Sequence, residues 1–181
     1  MTRKTLPLIA ALLLLSSFAF AQTSDPVITV YLVRHAERAA EPQNDPPLTE
    51  QGVARSQALA RLLSTAGIKA ILTSQASRTK LTAEPLAAKL GITPSALQLK
   101  VSTTNPRQIT EESTKETVDK ILSAGGNVLV VGHSNSIPDV IKMLGGDVAP
   151  AIDEKKFDDL FVVTVYAKGK ARVAHLKYGS E

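Results

Sequence analysis

Two histidines in this sequence lie directly after runs of apolar residues, where side chains are placed for chemistry. Residues 27–33 form a run of β-branched and apolar side chains that predicts a buried strand, and Arg34 and His35 follow it. Residues 127–131 form a second such run, with His133 two residues later. Ligands bind at the carboxyl ends of strands in open α/β sheets. Since arginine can hold a phosphoryl group and histidine can attack one, these strand ends predict phosphate chemistry.

A third candidate, Arg78, lies at the start of a predicted helix, between the two histidines. Each residue alone has a plainer interpretation. Arg34 and His35 could lie in a solvated loop after a strand. Arg78 could be a solvated helix residue, and His133 a buried structural histidine. Their joint occurrence after successive strands favours a functional site.

The segments between these residues alternate between strand and helix patterns. We predict strands at 27–33, 70–73, 96–101 and 127–131, and a closing hairpin of 161–166 and 171–176. We predict helices at 50–66, 74–90, 108–124 and 137–144, the third of them a polar surface helix. This alternation predicts an α/β protein, a three-layer α/β/α sandwich with a mainly parallel central sheet.

Several helix boundaries have local signals. Thr49 is placed as the N-cap of the first helix, and Gly67 is expected to stop it. Pro85 is expected to break the second helix and to restart it as a first-turn proline, and Gly91 to end it. Pro138 suits the first turn of the last helix.

The N-terminal segment has the pattern of a secretory signal peptide. A short basic start precedes apolar residues 6–18, and residues 19–21 form a small-x-small cleavage site. We expect 1–21 to be removed, leaving one domain at 22–181 in the periplasm or outside the cell. A retained anchor is the alternative, but the apolar run is shorter than the roughly 18 residues of a spanning helix. We therefore expect no stable membrane anchor.

Composition limits the other possible functions. The remaining chain of about 160 residues suffices for one domain with a sizeable core. The whole chain has 21 basic and 17 acidic residues, and removal of Arg3 and Lys4 would leave 19 basic residues. No basic run is interleaved with aromatics, so we expect no nucleic-acid binding. The chain has no cysteine, and its three histidines lack ligand spacing, so we expect neither disulfides nor a zinc site.

Four short motifs occur in order along almost the whole of 22–181. They are Arg34-His35-Ala36-Glu37, Leu48-Thr49-x-x-Gly52, Ser74-x-x-x-Arg78-Thr79-x-x-Thr82-Ala83 and Gly132-His133. Together they resemble the histidine phosphatase superfamily, whose fold is phosphoglycerate mutase-like. The resemblance implies that His35 is the nucleophile, that no metal or other cofactor is needed, and that the phosphate pocket consists of Arg34, Arg78 and His133.

The physical chemistry of phosphoryl transfer agrees with this assignment. Two guanidiniums can each donate a fork of N–H groups to the oxygens of a phosphate dianion. His35 must be neutral at one nitrogen to attack, with its other nitrogen held as a donor by a backbone carbonyl. Asn135 is a further candidate for substrate binding. Glu37 is expected to be the partner of an arginine, and His175 to be structural.

The proton donor is the part of the mechanism that the motifs do not supply. The mutases of this family carry a glutamate acid in an insertion that we cannot place here, and Ser134 stands where the phytase-like branch has an aspartate. Glu111 and Glu112 are the nearest alternatives, although helix-start glutamates usually favour the helix dipole. The short span from Arg78 to His133 favours a compact phosphatase over a mutase.

Two other classes of function stay open. Residues 132–136 nearly match the nucleophile elbow of a serine hydrolase, with Ser134 as nucleophile, Asp147 or Asp153 as acid and His175 as base. That alternative leaves Arg34 and His35 without a role. The other is a non-catalytic phosphate-binding module. The partner is expected to be a phosphorylated small molecule or a phosphoprotein; sugar phosphates, envelope-lipid phosphates and protein phosphohistidine all fit, and the oligomeric state is open.

Overall fold

A computed structural model describes residues 27–147 and 151–179, so the predicted signal peptide at 1–21 lies outside the described residues. Six strands and four helices follow one another in this part of the chain: β1 Ile28–Arg34, α1 Glu50–Leu63, β2 Ile68–Ser74, α2 Ser77–Leu90, β3 Ser95–Leu97, α3 Glu111–Leu122, β4 Asn127–Gly132, α4 Ile137–Met143, β5 Asp159–Ala167 and β6 Lys170–Lys177. None of the described helices is long and apolar enough to cross a membrane.

The strands form one sheet in the order β3-β2-β4-β1-β5-β6. The first four are parallel, and β5 and β6 add an antiparallel hairpin at one side. Arg34 pairs with Gly132, and Thr73 pairs with Val131. The carboxyl ends of β1, β2 and β4 therefore meet at one edge, which confirms the expected mainly parallel sheet and places the two predicted histidines side by side.

Helices cover both faces of the sheet because the central strands are apolar on both faces. Val30 and Leu32 of β1 belong to the core beneath α3 and α4, whereas Val33 belongs to the core beneath α1 and α2. All three side chains are fully buried. Each such burial stabilises the fold by about 1.5–3 kcal/mol. The two cores and the sheet between them are the predicted three-layer sandwich.

The predicted break at Pro85 is wrong, because α2 continues through it. Proline removes one backbone hydrogen bond from a helix interior. The neighbouring Ala83 and Leu86 are fully buried, and their packing against the sheet and α1 holds the helix together. Gly91 ends α2 with φ 66°, as predicted. The first helix ends earlier than predicted, at Leu63.

The prediction was also wrong between β3 and α3. The strand expected at 96–101 is only Ser95–Leu97, and the helix expected at 108–124 is Glu111–Leu122, with an inner face buried in the core. Residues 100–110 instead form a small antiparallel hairpin, here called the flap. Its hydrogen bonds run from the Ser102 amide to the Gln108 carbonyl (2.8 Å) and from the Thr110 amide to the Lys100 carbonyl (2.9 Å). Hydrogen bonds across this turn take the place of the predicted extension of β3 and of the predicted first turn of α3.

Candidate active site

A cavity of about 460 Å³ opens where β1, β2 and β4 end. Its volume lies within the range of small-molecule sites. The predicted site residues all line it: Arg34, His35, Arg78, His133 and Asn135. The fold thus brings together residues that are up to 101 positions apart in the chain. They meet because the parallel strands β1 and β4 end at the same level of the sheet.

His35 is buried and oriented by the backbone. Its amide donates to the carbonyl of Gly132 at 3.0 Å, and its Nδ1 lies 2.8 Å from the carbonyl oxygen of Ala36. A carbonyl only accepts, so Nδ1 carries the hydrogen and Nε2 keeps its lone pair. This confirms the expected backbone acceptor. Burial lowers the pKa of His35 to about 4, against the opposing effect of the Ala36 bond, and the charges of Arg78 and Arg34 lower it further. His35 is therefore neutral at pH 7.

His133 lies beside His35, with 5.4 Å between the two ring centroids. Its Nε2 is 2.8 Å from Ser74 Oγ, and its Nδ1 is 3.5 Å from Arg78 Nη2. A guanidinium only donates, so Nδ1 is the accepting nitrogen and Nε2 donates to Ser74. Burial, followed by the charges of Arg78, His35 and Arg34, lowers the pKa of His133 to about 3. His133 is neutral in this arrangement.

Arg34 ends β1 with its guanidinium beside the turn before β5. Nη1 donates to the carbonyls of Asp153 (3.2 Å) and Lys156 (3.1 Å), and the guanidinium carbon lies 4.3 Å from the centroid of the Phe157 ring. Nε is buried without an acceptor among the described residues. Burial is the main cause of its lowered pKa, which nearby carboxylates oppose only in part. Arg34 is thus a cation that lacks a bonded carboxylate.

Arg78 comes from the first turn of α2, and its side chain is 24% exposed. Besides the contact with His133, Nη1 lies 3.9 Å from the half-exposed carboxylate of Asp45, too far for a hydrogen bond. Its Nε, like that of Arg34, has no acceptor in the described part of the chain. Burial lowers the pKa of Arg78, and the charge of Arg38 adds to this.

The remaining motif residues hold the loop after His35. Thr82 Oγ1 accepts from the Ala36 amide at 2.9 Å and donates to the Arg78 carbonyl at 2.7 Å, which joins α2 to that loop. The Thr49 amide donates to the Glu37 carbonyl at 2.9 Å, and a Cβ at Gly52 would overlap that carbonyl oxygen. The glycine is therefore required by the close approach of α1.

Glu37 pairs with an arginine, as expected, but the partner was missed. Its two carboxylate oxygens accept from Nε and Nη2 of Arg55 at 2.7–3.0 Å. Arg55 is 7% exposed and also donates to the carbonyl of Tyr178 at 3.0 Å. Its position in α1 could have indicated this burial, because Arg55 lies four residues before the fully buried Leu59 and therefore on the same face of the helix.

Neither predicted alternative for the acid reaches the cavity. Glu112 lies 3.4 Å from Lys100 on the surface, and Glu111 lines a separate groove beside α4. Among the described residues, Glu154 is the one acidic side chain that lines the cavity, and it is exposed. Arg38 and Arg107, which we also did not predict, line the cavity as well.

The serine-hydrolase alternative lacks its base. Ser134 lines the cavity, but His175 does not. His175 Nε2 lies 2.6 Å from Asp159 Oδ1, and its ring stacks on Phe161 at 4.5 Å. These contacts fit the structural role predicted for His175. Within the described residues, no cluster of three histidine or carboxylate side chains could hold a metal ion.

A protein-family model matches part of the chain. The model of the histidine phosphatase superfamily (branch 1) matches residues 30–99, a segment that contains both His35 and Arg78. This match covers 70 of the 181 residues and shows similarity to that superfamily over this segment. His133 lies beyond the matched segment, so its place beside His35 comes from the fold.

The sequence relatives match over short segments. A protein of Cronobacter sakazakii named "Probable phosphoglycerate mutase GpmB" is 41% identical over 71 residues, which cover 36% of this chain and 33% of that protein. Its namesake from Proteus mirabilis is 42% identical over 67 residues, or 34% and 31% of the two chains. The matched segment thus spans about a third of the length of these curated relatives.

Solved structures match over most of the chain. The protein histidine phosphatase SixA complexed with tungstate has a TM-score of 0.65 at 18% identity, covering 83% of this chain and 97% of its own. A phosphoglycerate mutase from Bacillus anthracis has a TM-score of 0.62 at 20% identity, covering 84% and 94%. A mycobacterial glucosyl-3-phosphoglycerate phosphatase has 0.63 at 14%, covering 86% and 100%. These likenesses show the fold, and they confirm the phosphoglycerate mutase-like prediction.

Proposed function

We propose that this chain is a phosphatase that hydrolyses phosphomonoesters or phosphohistidine through a phosphohistidine intermediate on His35, without a metal. The observation that carries the proposal is the state of His35. Its Nδ1 is fixed as a donor to the Ala36 carbonyl, and its pKa is lowered to about 4. A neutral imidazole with a free Nε2 lone pair therefore lies beside two guanidiniums that lack bonded carboxylates.

The proposed reaction has two displacements at phosphorus. In the first, His35 Nε2 forms a bond to phosphorus as the bond to the leaving group breaks, and the leaving group takes a proton from the medium. In the second, water attacks the phosphohistidine, releases inorganic phosphate and restores neutral His35. The Nδ1–H bond to Ala36 holds the ring in one tautomer through both displacements.

The positive charge for both steps would come from the pocket. Arg34 and Arg78 can donate through N–H groups that have no acceptor in the described residues. Burial is the main cause of the lowered pKa of His133, and a bound phosphate dianion would offset the second cause, the charges of the neighbouring cations. Protonation of His133 is then favoured as the anion binds, and the imidazolium can donate to a phosphate oxygen. Such preorganised donors typically contribute about 10²–10³-fold each.

The comparisons and the sequence support the setting of the reaction. Two of the similar folds are described as phosphatases, one of them of protein histidine. The short connection between Arg78 and His133 favours a phosphatase over a mutase. The signal-peptide pattern of residues 1–21 supports action in the periplasm or outside the cell, on a phosphorylated small molecule or a phosphoprotein.

A phosphatase assay of residues 22–181 tests the proposal. We expect turnover of 4-nitrophenyl phosphate in the presence of EDTA, and inhibition by vanadate, which mimics the transferring phosphoryl group. Loss of turnover on chelation that zinc or magnesium reverses would contradict the metal-independent mechanism. Phosphate binding with no turnover of any ester would instead favour the non-catalytic binding module.

A further inference from the structure

The cavity has an apolar wall that phosphate binding does not use. Leu99 and three residues of the flap line it: Val101, Pro106 and Ile109. Ile109 is buried, but Val101 is 49% exposed. A large apolar side chain left open to the same cavity as two guanidiniums can stabilise an apolar group that enters with the phosphate.

The wall is held in place at both ends. The Gln75 side chain, just beyond β2, donates to the Leu99 carbonyl at 3.3 Å and accepts from the Leu99 amide at 3.0 Å. Asn135 Nδ2, just beyond β4, donates to the carbonyl of Arg107 at 2.7 Å. With its own hydrogen bonds, the flap is thus fixed to the strand ends that carry the phosphate pocket. A preformed surface of this kind has a smaller ordering cost on binding than a mobile loop would have.

Two further features narrow the class of group that fits the wall. Arg107 lines the cavity, and its guanidinium has no hydrogen-bonding or ionic partner among the described residues, so it is available to stack on a flat ring. No buried carboxylate of the described chain lines the cavity to protonate an alkoxide. A phenol departs without that help far more readily than an aliphatic alcohol.

We propose that the flap binds the leaving group, and that the substrates are aryl phosphates whose ring lies against Val101 and Leu99. This inference rests on the proposed phosphatase activity and names its substrate class. The ring, with the phosphate held between Arg34 and Arg78, would fill the part of the cavity beneath the flap.

A series of 4-alkylphenyl phosphates, from methyl to butyl, tests the inference. The pKa of the phenol is almost constant along this series, so only the apolar contact changes. We expect kcat/KM to rise by about two- to fourfold per added methylene while the chain lies on the wall. A flat series would overturn the inference and leave the phosphatase proposal standing, whereas no turnover of any member, phenyl phosphate included, would overturn both.

Variants assign the effect to the flap. Val101→Thr, nearly isosteric and polar, should reduce the gain per methylene, and Val101→Leu should preserve or increase it. Val53→Thr on α1 is the matched control, since Val53 is 46% exposed and lies outside the cavity; it should leave the series unchanged. An unchanged series in Val101→Thr, or an equal loss in Val53→Thr, would show that the flap does not bind the leaving group.

Discussion

Arg55 and Arg34 are almost equally buried, at 7% and 8% exposure, but they have different partners. Arg55 donates to both oxygens of the Glu37 carboxylate at 2.7–3.0 Å and to the Tyr178 carbonyl. Arg34 donates to two carbonyls and lies on the ring of Phe157, without a bonded carboxylate. Arg55 is paired with a carboxylate within the fold, whereas Arg34 has no bonded carboxylate among the described residues.

The pKa of Arg55 is raised and that of Arg34 is lowered, in agreement with their different partners. Burial works against the charge of Arg55, but the hydrogen bonds and charge of Glu37 outweigh it, and its pKa is raised. The pKa values of Arg34 and Arg78 are lowered, first by burial and then by neighbouring cations. A buried cation without a hydrogen-bonded carboxylate is costly. A dianion bound by Arg34 and Arg78 would offset the kind of desolvation cost that Glu37 already offsets for Arg55. The role of a buried arginine therefore depends on its partner more than on its depth.

The largest expected effect follows from removing the paired arginine. Arg55→Met leaves the Glu37 carboxylate buried without a counter-ion, and we expect the free energy of unfolding to fall by about 3–5 kcal/mol. Denaturant unfolding measures this, with Arg61→Met on the exposed face of α1 as the control. Adding Glu37→Gln to Arg55→Met should recover part of the loss. A change below about 1 kcal/mol in Arg55→Met would mean that the pair does not stabilise the fold.

Arg78, whose nearest carboxylate lies beyond hydrogen-bond distance, should affect turnover instead of stability. In Arg78→Lys an ammonium replaces the two-pronged guanidinium, so we expect kcat/KM for 4-nitrophenyl phosphate to fall by about 10²–10³-fold. The melting temperature should change little, because the guanidinium makes only long contacts, 3.5 Å to His133 and 3.9 Å to Asp45. Arg61→Lys is the control for both measurements. Nearly full activity in Arg78→Lys would remove Arg78 from the phosphate pocket.

The cationic pocket should also be visible in the titration of its histidines. In NMR spectra of the phosphate-free protein we expect His35 to titrate at about 4 and His133 at about 3. Arg78→Gln should raise both values, since the charge of Arg78 lowers each of them. Added phosphate should raise the pKa of His133. Titration of either ring near 6.5 in the free protein would contradict the geometry.

These titrations determine how stability depends on pH. In the unfolded chain both histidines take up protons near pH 6.5, whereas in the folded chain they stay neutral until about pH 4. The unfolded state therefore binds more protons in this interval, and the free energy of unfolding should decrease as pH falls from 6.5 towards 4.

The smallest expected effect concerns the carboxylates. Glu37 is bonded to Arg55, and no buried carboxylate of the described residues lines the cavity, so none is placed to protonate a leaving group. We expect kcat/KM to fall steeply as the leaving-group pKa rises towards that of an aliphatic alcohol, on the order of 15, near that of water. Glu111→Gln and Glu112→Gln should change kcat/KM by less than about twofold, because neither side chain lines the cavity. Loss of a general acid would instead lower kcat/KM by about 10²–10⁴-fold.

A flat leaving-group dependence would contradict this account. Glu154→Gln would then identify the donor, because Glu154 is the acidic side chain of the described chain that lines the cavity. A loss on alkyl but not aryl phosphates in that variant would assign the proton to Glu154.

Local patterns were sufficient for β4, which is apolar and buried on both faces, and for α4, which buries one face. The apolar run of β4 and the i, i+3, i+4, i+7 spacing of α4 predicted both elements, and parallel strands then brought His35 and His133 together. The break at Pro85 was predicted wrongly because the sequence shows the missing backbone hydrogen bond, whereas the packing that outweighs its cost involves residues distant in the chain. The flap was missed for a related reason. Val101 pairs with Ile109 in a segment too short to show the alternation of apolar and polar residues that indicates a strand.

Partners distant in sequence were the least predictable part of the site. Nothing near Glu37 indicates Arg55, and nothing near Arg34 indicates the carbonyls of Asp153 and Lys156, 119 and 122 residues away. These contacts depend on how β5 returns beside β1, which is settled only by the assembled sheet. Motif order identified the candidate reacting residues, and the fold shows which groups hold them.

The most direct measurement is the site of phosphorylation during turnover. Rapid quenching of residues 22–181 with 4-nitrophenyl phosphate, followed by peptide mapping without acid, should find an acid-labile, base-stable phosphoryl group on His35. His35→Ala should lose the adduct and at least about 10³-fold of kcat/KM, whereas His175→Ala, altered outside the cavity, should keep both. A phosphoryl group or covalent intermediate on Ser134, or full activity in His35→Ala, would contradict the account.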